Sequence, residues 1–410
     1  MLSKLVNSLR WILVVFGAAL LVLASLSSSG LPAGLQAFVG LLLLLGGFGM
    51  IYWYIRPNRA EVSNGLKLET WEVVNDGLHN SNTDLLYWEG NFYLVHAAAP
   101  YHFGSQSCRL KLLRSPDAHH WEKLAEFSGS AGVEKGTPQD IRDPKLAVIG
   151  NRLFLYALQN IAFNPEPYTT VYSFSEDQGR TWSPLRRIEP QGWLFWRPKS
   201  AEGRVWYAPA YWWEHGKSAL FRSNDGVNWE MIGPIYAGDR NDETDVEFLA
   251  GDKMIAVARL EIDDSVLGHP DGSTLIAVAE APYATWTVTA RSRLTRLDGP
   301  ALFSWAGEVY ACGRRQPDIG GPFCWQGSIF ARKRTALFLV RETGLQFLTD
   351  LPSAGDTSYA GTALVDGWLY VSYYTSDVKR DFPWIVGMFN PTPIMVARVK
   401  MENLRQLAEL

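Results

Sequence analysis

The chain opens on two uncharged apolar runs, residues 11–26 and 35–54, parted by the small, turn-forming stretch Ser27-Ser28-Ser29-Gly30-Leu31-Pro32-Ala33-Gly34. At about 1.5 Å per residue the second run matches a hydrocarbon layer of about 30 Å, and the first is slightly short. The pattern predicts a two-helix transmembrane hairpin within residues 1–60, with Tyr52, Trp53 and Tyr54 suited to the membrane interface. From residue 66 the pattern changes. Runs such as Phe92-Tyr93-Leu94-Val95, Leu153-Phe154-Leu155-Tyr156, Met254-Ile255-Ala256-Val257 and Leu369-Tyr370-Val371-Ser372 are short and rich in β-branched, aromatic and other apolar residues. Turn formers such as Glu89-Gly90-Asn91, Ile149-Gly150-Asn151 and Asp366-Gly367 punctuate them. This predicts an all-β body over 66–400 built from many short antiparallel strands, with 401–410 as a tail.

A repeated unit sharpens that expectation. Ser175-Glu176-Asp177-Gln178-Gly179-Arg180-Thr181-Trp182 is its fullest copy. Ser223-Asn224-Asp225-Gly226-Val227-Asn228-Trp229 is one residue shorter, and Ser115-Pro116-Asp117-Ala118-His119-His120-Trp121 has Ala in place of Gly. Each follows a strand-like run. The chemistry is that of a turn: the Asp accepts backbone N–H bonds, the Gly takes positive φ, and the Trp plugs the space between sheets.

Charge and composition narrow the class of partner. The net charge is −4, but residues 1–60 carry Lys4, Arg10, Arg56, Arg59 and no acid, and the remainder carries 34 basic and 42 acidic residues. An acidic body argues against nucleic acid. The basic flanks predict that both chain ends face the cytoplasm, in an inner or plasma membrane; the competing reading is a cleaved signal peptide or a single span with an exported domain. Cys108, Cys312 and Cys324 are too few for a disulfide framework, and at most Cys312 and Cys324 could pair.

The repeats resemble the Asp-box of sialidases and related β-propellers. That resemblance implies a six-bladed propeller over 66–400, with blades starting near residues 71, 140, 192, 243, 298 and 356, and implies structural roles for the box Asp and Trp. The segment 66–74 is then free to complete the last sheet. First strands of a propeller line its central channel, so polar residues early in each blade are the site candidates. They are Asp84 in the first blade, Arg142 and Asp143 in the second, Glu243, Asp245 and Glu247 with Arg259 in the fourth, Arg314 in the fifth and Tyr359 in the sixth. Alternation sets Glu243, Asp245 and Glu247 on one strand face. Trp193, Trp196, Arg197 and Tyr211 mark the third blade, mostly as core.

The order Asp84, Glu243, Arg259, Arg314, Tyr359 resembles that of exo-sialidase catalytic residues. The resemblance implies an Asp acid/base (Asp84 or Asp143), Tyr359 as nucleophile, Glu243 as the base that takes its proton, and arginines clamping a sugar carboxylate. A Tyr nucleophile needs such a base because its free pKa is near 10. The stretch 66–82 contains no arginine where that family carries one, so Arg142 joins Arg259 and Arg314 in the expected clamp. Arg142-Asp143-Pro144 also resembles a motif of five-bladed furanosidases, where the Asp holds sugar hydroxyls. The expected function is a membrane-anchored glycoside hydrolase cleaving a terminal glycosidic bond, possible acidic sugars included. The alternative is a noncatalytic glycan-binding or assembly propeller tethered beside a polysaccharide system. A furanosidase-like or lyase chemistry on Asp143 and the Glu243–Glu247 cluster is a third. The expected partners are a glycan and membrane lipid. No cofactor and no obligatory metal are called for, with the carboxylates near Glu243 able to hold Ca²⁺.

Overall fold

The computed structural model describes residues 2–26, 31–54, 60–103, 105–129, 139–161, 168–319 and 324–409. Two helices, α1 (Leu2–Leu26) and α2 (Leu31–Tyr54), precede the β body. Both begin earlier than the apolar runs: α1 continues back through the mixed polar residues ahead of its run, and α2 takes in Leu31-Pro32-Ala33-Gly34 from the expected turn, with Pro32 in its first turn, where the missing N–H costs no intrahelical bond. Segments 8–26 and 32–50 have mean hydropathies of 2.3 and 1.8, so either is long and apolar enough to cross a membrane. The helices pack through small residues. A Cβ on Gly17 would fall 2.7 Å from the Gly40 carbonyl oxygen, and one on Gly47 3.0 Å from that of Arg10. Glycines let two backbones approach this closely. Val15, Phe16, Leu35 and Leu45 point outward and are largely exposed. Arg56 and Arg59, on which the expected orientation partly rests, lie outside the described residues.

The body is a six-bladed β-propeller of four-stranded antiparallel sheets. The innermost strands of blades one to six are His79–Trp88, Gln139–Ile149, Trp193–Phe195, Asn241–Leu249, Asp298–Trp305 and Thr357–Val365. Five of these starts fall within two residues of the positions expected from the repeat. The first is later, because Glu69–Val74 is not the start of blade one. It is the outermost strand of blade six, antiparallel to Ile394–Lys400 with Trp71 opposite Val396. The core fills the gaps between blades. Tyr93, Val95 and Leu110 of blade one pack on Ile141, Leu153 and Leu155 of blade two. The tail forms a short helix, Met401–Ala408, that buries Met401, Leu404 and Ala408.

The three repeats are turns between the third and fourth strands of blades one to three. Asp117 Oδ1 accepts the N–H groups of His119 and His120, both at 2.8 Å, and Asp225 Oδ1 does the same for Val227 and Asn228. Asp177 accepts from Arg180 and Thr181. In each turn the Trp indole N–H bonds the carbonyl three residues before it, on Ala118, Gly179 or Gly226. All three of those residues have positive φ, so Ala118 takes the left-handed conformation held by Gly in the other copies.

A second regularity lies at the channel. In the innermost strands of blades one, two, five and six the ladder slips immediately before Asp84, Lys145, Ala301 and Gly361, and in blade four it slips one residue earlier, between Asn241 and Thr244. Asp245 matches Asp84, since each accepts an N–H from the innermost strand of the next blade (Leu302 and Leu146), and Lys199 holds the corresponding bridge of blade three; two residues before Asp84, Lys145, Lys199, Asp245, Ala301 and Gly361 stand Asn82, Asp143, Arg197, Glu243, Gly299 and Tyr359, in one equivalent position. Such bulges re-aim side chains. Asn82, Asp143, Gly299 and Tyr359 all have φ between +44° and +62°. Cys108, Cys312 and Cys324 are free thiols, so Cys312 and Cys324 are not bridged.

Candidate active site

Glu243 and Tyr359 meet across the channel. The Tyr359 hydroxyl donates to Glu243 Oε1. The other carboxylate oxygen accepts the Gly299 N–H at 2.6 Å and lies 3.0 Å from Arg259 Nη1. Arg259 also grips Asp242 through two nitrogens. Arg259 Nη1 and Arg314 Nη2 each stand 3.5 Å from the Tyr359 oxygen, and the Arg314 guanidinium lies 5.0 Å from the centre of the phenol ring. Gly299 is the floor under that ring: a Cβ there would fall 3.0 Å from Tyr359 Cγ. Tyr359 itself sits at φ +44°, a strained conformation for a bulky residue, which turns its phenol toward Glu243.

Burial sets the protonation chemistry. It pushes the Glu243 carboxyl up to about 7, against the pull of Arg259, and it drives the Tyr359 phenol well above its ordinary value, with Glu243 adding to the rise. The phenol is therefore neutral at pH 7 and has a base within hydrogen-bond reach. Loss of its proton would leave a phenolate facing two guanidiniums.

Two cavities share Tyr359. The first, about 190 Å³, is bounded by Arg142, Asp143, Glu243, Tyr211, His102 and His215 among others. Asp143 Oδ1 is buried with no hydrogen-bond partner among the described residues. Arg142 is held by Asp140 at 2.5 Å. Beneath them Lys145 is fully buried, 4.3 Å from the centre of the Trp196 ring, and burial lowers its amine to about 8. The second cavity, about 340 Å³, is lined by Arg240, Arg259, Arg296 and Arg314. These cations are already partnered. Arg296 binds Asp298 at 2.8 Å, and Arg314 reaches Asp298 at 3.2 Å and Asp356 at 3.3 Å. Glu261 lies 3.3 Å from Arg259 and 3.6 Å from Arg296. Those cations hold Asp298 and Glu261, despite burial, below the usual carboxylate range.

The structure thus brings Asp143, Glu243, Tyr359, Arg142, Arg259 and Arg314 to these two cavities. It does not bring Asp84, Asp245 or Glu247, which tie blades together. Asp84 Oδ2 accepts the Leu146 N–H at 2.8 Å and Oδ1 holds Arg197 at 3.0 Å. Asp245 makes the equivalent bond to Leu302 N–H at 2.8 Å, between blades four and five. Glu247 pairs with Lys199 at 2.8 Å. Arg197 continues the ties by donating to the Pro300 and Ala360 carbonyls. Sequence reading missed Arg296, His79, His102, His215 and Asp298. The signal was present in the slipped register: three residues before the equivalent position stand His79, Asp140, Leu194, Arg240, Arg296 and Asp356, and one before it stand Ser81, Arg142, Trp196, Asp242, Asp298 and Ser358.

No protein-family model matches the sequence, and no curated protein matches it. Solved structures do. The Trypanosoma rangeli sialidase in complex with sialic acid is similar with a TM-score of 0.60 at 13% identity, over 86% of this chain and 61% of that one. The phage phi92 endosialidase gives 0.61 at 11% identity, over 82% and 69%. A Streptococcus pneumoniae sialidase gives 0.56 at 10% identity, over 81% and 70%. The chain therefore spans about three fifths of the length of the trypanosomal enzyme. At such identities the likeness is one of fold, and the fold is the six-bladed propeller of sialidases and endosialidases.

Proposed function

We propose that the protein is a sialidase-like glycoside hydrolase held at a membrane by its N-terminal hairpin. The observation that carries this reading is the Tyr359–Glu243 hydrogen bond with Arg259 and Arg314 beside the phenol oxygen. In this mechanism Glu243 takes the phenol proton as Tyr359 attacks the anomeric carbon, and Asp143 protonates the departing glycosidic oxygen. Asp143 then takes a proton from water as water displaces the tyrosine, and Glu243 returns its proton to the phenol. A neutral nucleophile suits an anionic sugar, and the arginine-lined cavity suits the acidic group of such a sugar. Asp143 is preferred to Asp84 as acid/base because Asp84 is occupied by Leu146 and Arg197. The rival, a noncatalytic glycan-binding propeller, draws on the partnering of Arg259, Arg296 and Arg314 by internal carboxylates, which weakens their pull on a ligand.

The test is hydrolysis of a panel of aryl glycosides, sialosides included, by the full chain in detergent. Release from one sugar class is expected, with a loss of about a hundredfold or more in Tyr359→Phe and in Glu243→Gln. Glycan binding without turnover, unaltered by either substitution, would favour the binding module.

A further inference from the structure

Beside this site lies a cluster that the proposed hydrolysis does not use. His79, in the innermost strand of blade one, is fully buried, and His102 follows that blade's second strand. Both aim at one oxygen of Asp356 in blade six. His102 Nδ1 is 2.7 Å from Asp356 Oδ2, and His79 Nε2 is 3.0 Å from the same atom. The second carboxylate oxygen is held elsewhere, by Trp384 Nε1 at 2.8 Å and by Arg314 Nη1 and Tyr374 Oη at 3.3 Å.

Both ring nitrogens of His79 are aimed at an oxygen. Its Nδ1 lies 2.8 Å from the Asn390 carbonyl oxygen, so Nδ1 carries the hydrogen. Nε2, wholly buried, then faces Asp356 Oδ2 at 3.0 Å, where it serves either as the N–H of an imidazolium or as a lone pair turned to a cation between the two. An N–H bonded to a backbone carbonyl, with the opposite ring nitrogen free, is how proteins prepare a histidine to ligate a metal. The partners of Asp356 Oδ1 orient its carboxylate in the same manner.

We propose that His79 Nε2, His102 Nδ1 and Asp356 Oδ2 form a binding site for one divalent transition-metal ion, Zn²⁺ by ligand chemistry. Two imidazoles and one carboxylate are a three-ligand set of the kind that leaves zinc a position for an exchangeable group. His102 lines both cavities that Tyr359 lines, so an ion has a route from solvent and sits at the rim of the substrate site. It also supplies positive charge on blade one, where residues 66–82 contain no arginine. A second grouping, His215 with Asp242 and Glu261, is not equivalent. Arg259 grips Asp242, and Arg240, Arg259 and Arg296 surround Glu261, so its negative charge is met by guanidinium groups.

The test uses the untagged full chain in detergent, stripped with chelator and titrated with Zn²⁺ alone by calorimetry, and with Co²⁺ followed by visible absorption. One equivalent of Zn²⁺ is expected, with a rise in Tm and cobalt ligand-field bands. Affinity falls about tenfold or more in His79→Gln and in His102→Gln. His215→Gln retains full uptake. His102 is partly exposed, so its variant keeps the test decisive where His79→Gln fails to fold. The assignment is overturned by a folded protein that takes up no stoichiometric Zn²⁺, by uptake that survives the His102 substitution, or by uptake lost only in His215→Gln.

Discussion

Glu243 answers two opposed demands within one side chain. Burial favours its protonated form and Arg259 its ionised form, and burial prevails, leaving the carboxyl at about 7. As a base toward Tyr359 it must be ionised, so kcat/KM is expected to rise with pH and level off above about 7. A pH–rate profile checks this; residual turnover of Glu243→Gln that keeps the same acid limb would assign the limb to another group. Stability runs the other way. A carboxyl with a raised folded-state value binds its proton more tightly in the native chain than in the unfolded one. Its contribution is therefore present below about 4.5 and lost as pH rises toward 7, on the order of 3 kcal/mol across the window. Asp298 and Glu261, held low by arginines, contribute with the opposite sign, so the effect is read as the difference between the wild-type and Glu243→Gln stability curves.

The strands explain why some of the site is legible in sequence and some is not. Glu243 and Arg259 lie on neighbouring strands of one blade, and their spacing alone suggests that they meet. Tyr359 and Arg314 belong to other blades, and only a family resemblance joins them to that pair. Arg296, His79 and His102 escape both routes, because their partners cross between blades and depend on where each innermost ladder slips. Asp84, Asp143 and Asp245 show the same difficulty: all are acids early in a blade, and two residues along the strand separate a cavity-lining carboxylate from an inter-blade tie. The blades themselves are legible because the Ser-x-Asp turn and Trp recur locally. Gly299 tests the slip as a device. Its φ of +62° strains any other residue, and a methyl group there fits only if the Tyr359 ring shifts by a few tenths of an ångström. Gly299→Ala is expected to displace the phenol and lower turnover at least tenfold, at a stability cost of only about 1 kcal/mol. Turnover and Tm measured on the same preparation check it; unchanged turnover would detach the Tyr359 position from the chemistry.

At the scale of the whole chain, what matters is where the propeller begins. Residues 61 and 63 already engage blade five: Glu61 N–H donates to Asp350 Oδ2 at 2.8 Å, and Ser63 Oγ to the Leu348 carbonyl at 2.6 Å. Glu69–Val74 then supplies the outer strand of blade six, so the ring is closed by pairing the first strand of the body with the last. Without it, Ile394–Lys400 becomes an open edge with unpaired backbone groups, and Trp71, Val73 and Val74 are lost from the cluster that includes Ile394 and Val396. Two truncations separate the roles of helix pair and closure. A chain starting at residue 60 is expected to remain folded with a single cooperative transition, and to leave the membrane fraction if the hairpin is the anchor. A chain starting at residue 76 is expected to have the same charge pattern at the site but a lower Tm and concentration-dependent association through the exposed edge. Membrane fractionation, thermal unfolding and sedimentation of the two fragments distinguish these outcomes. Retention of the shorter helix-free fragment on lipid would move the anchor into the propeller, and equal Tm values would show that the circular closure contributes nothing to stability.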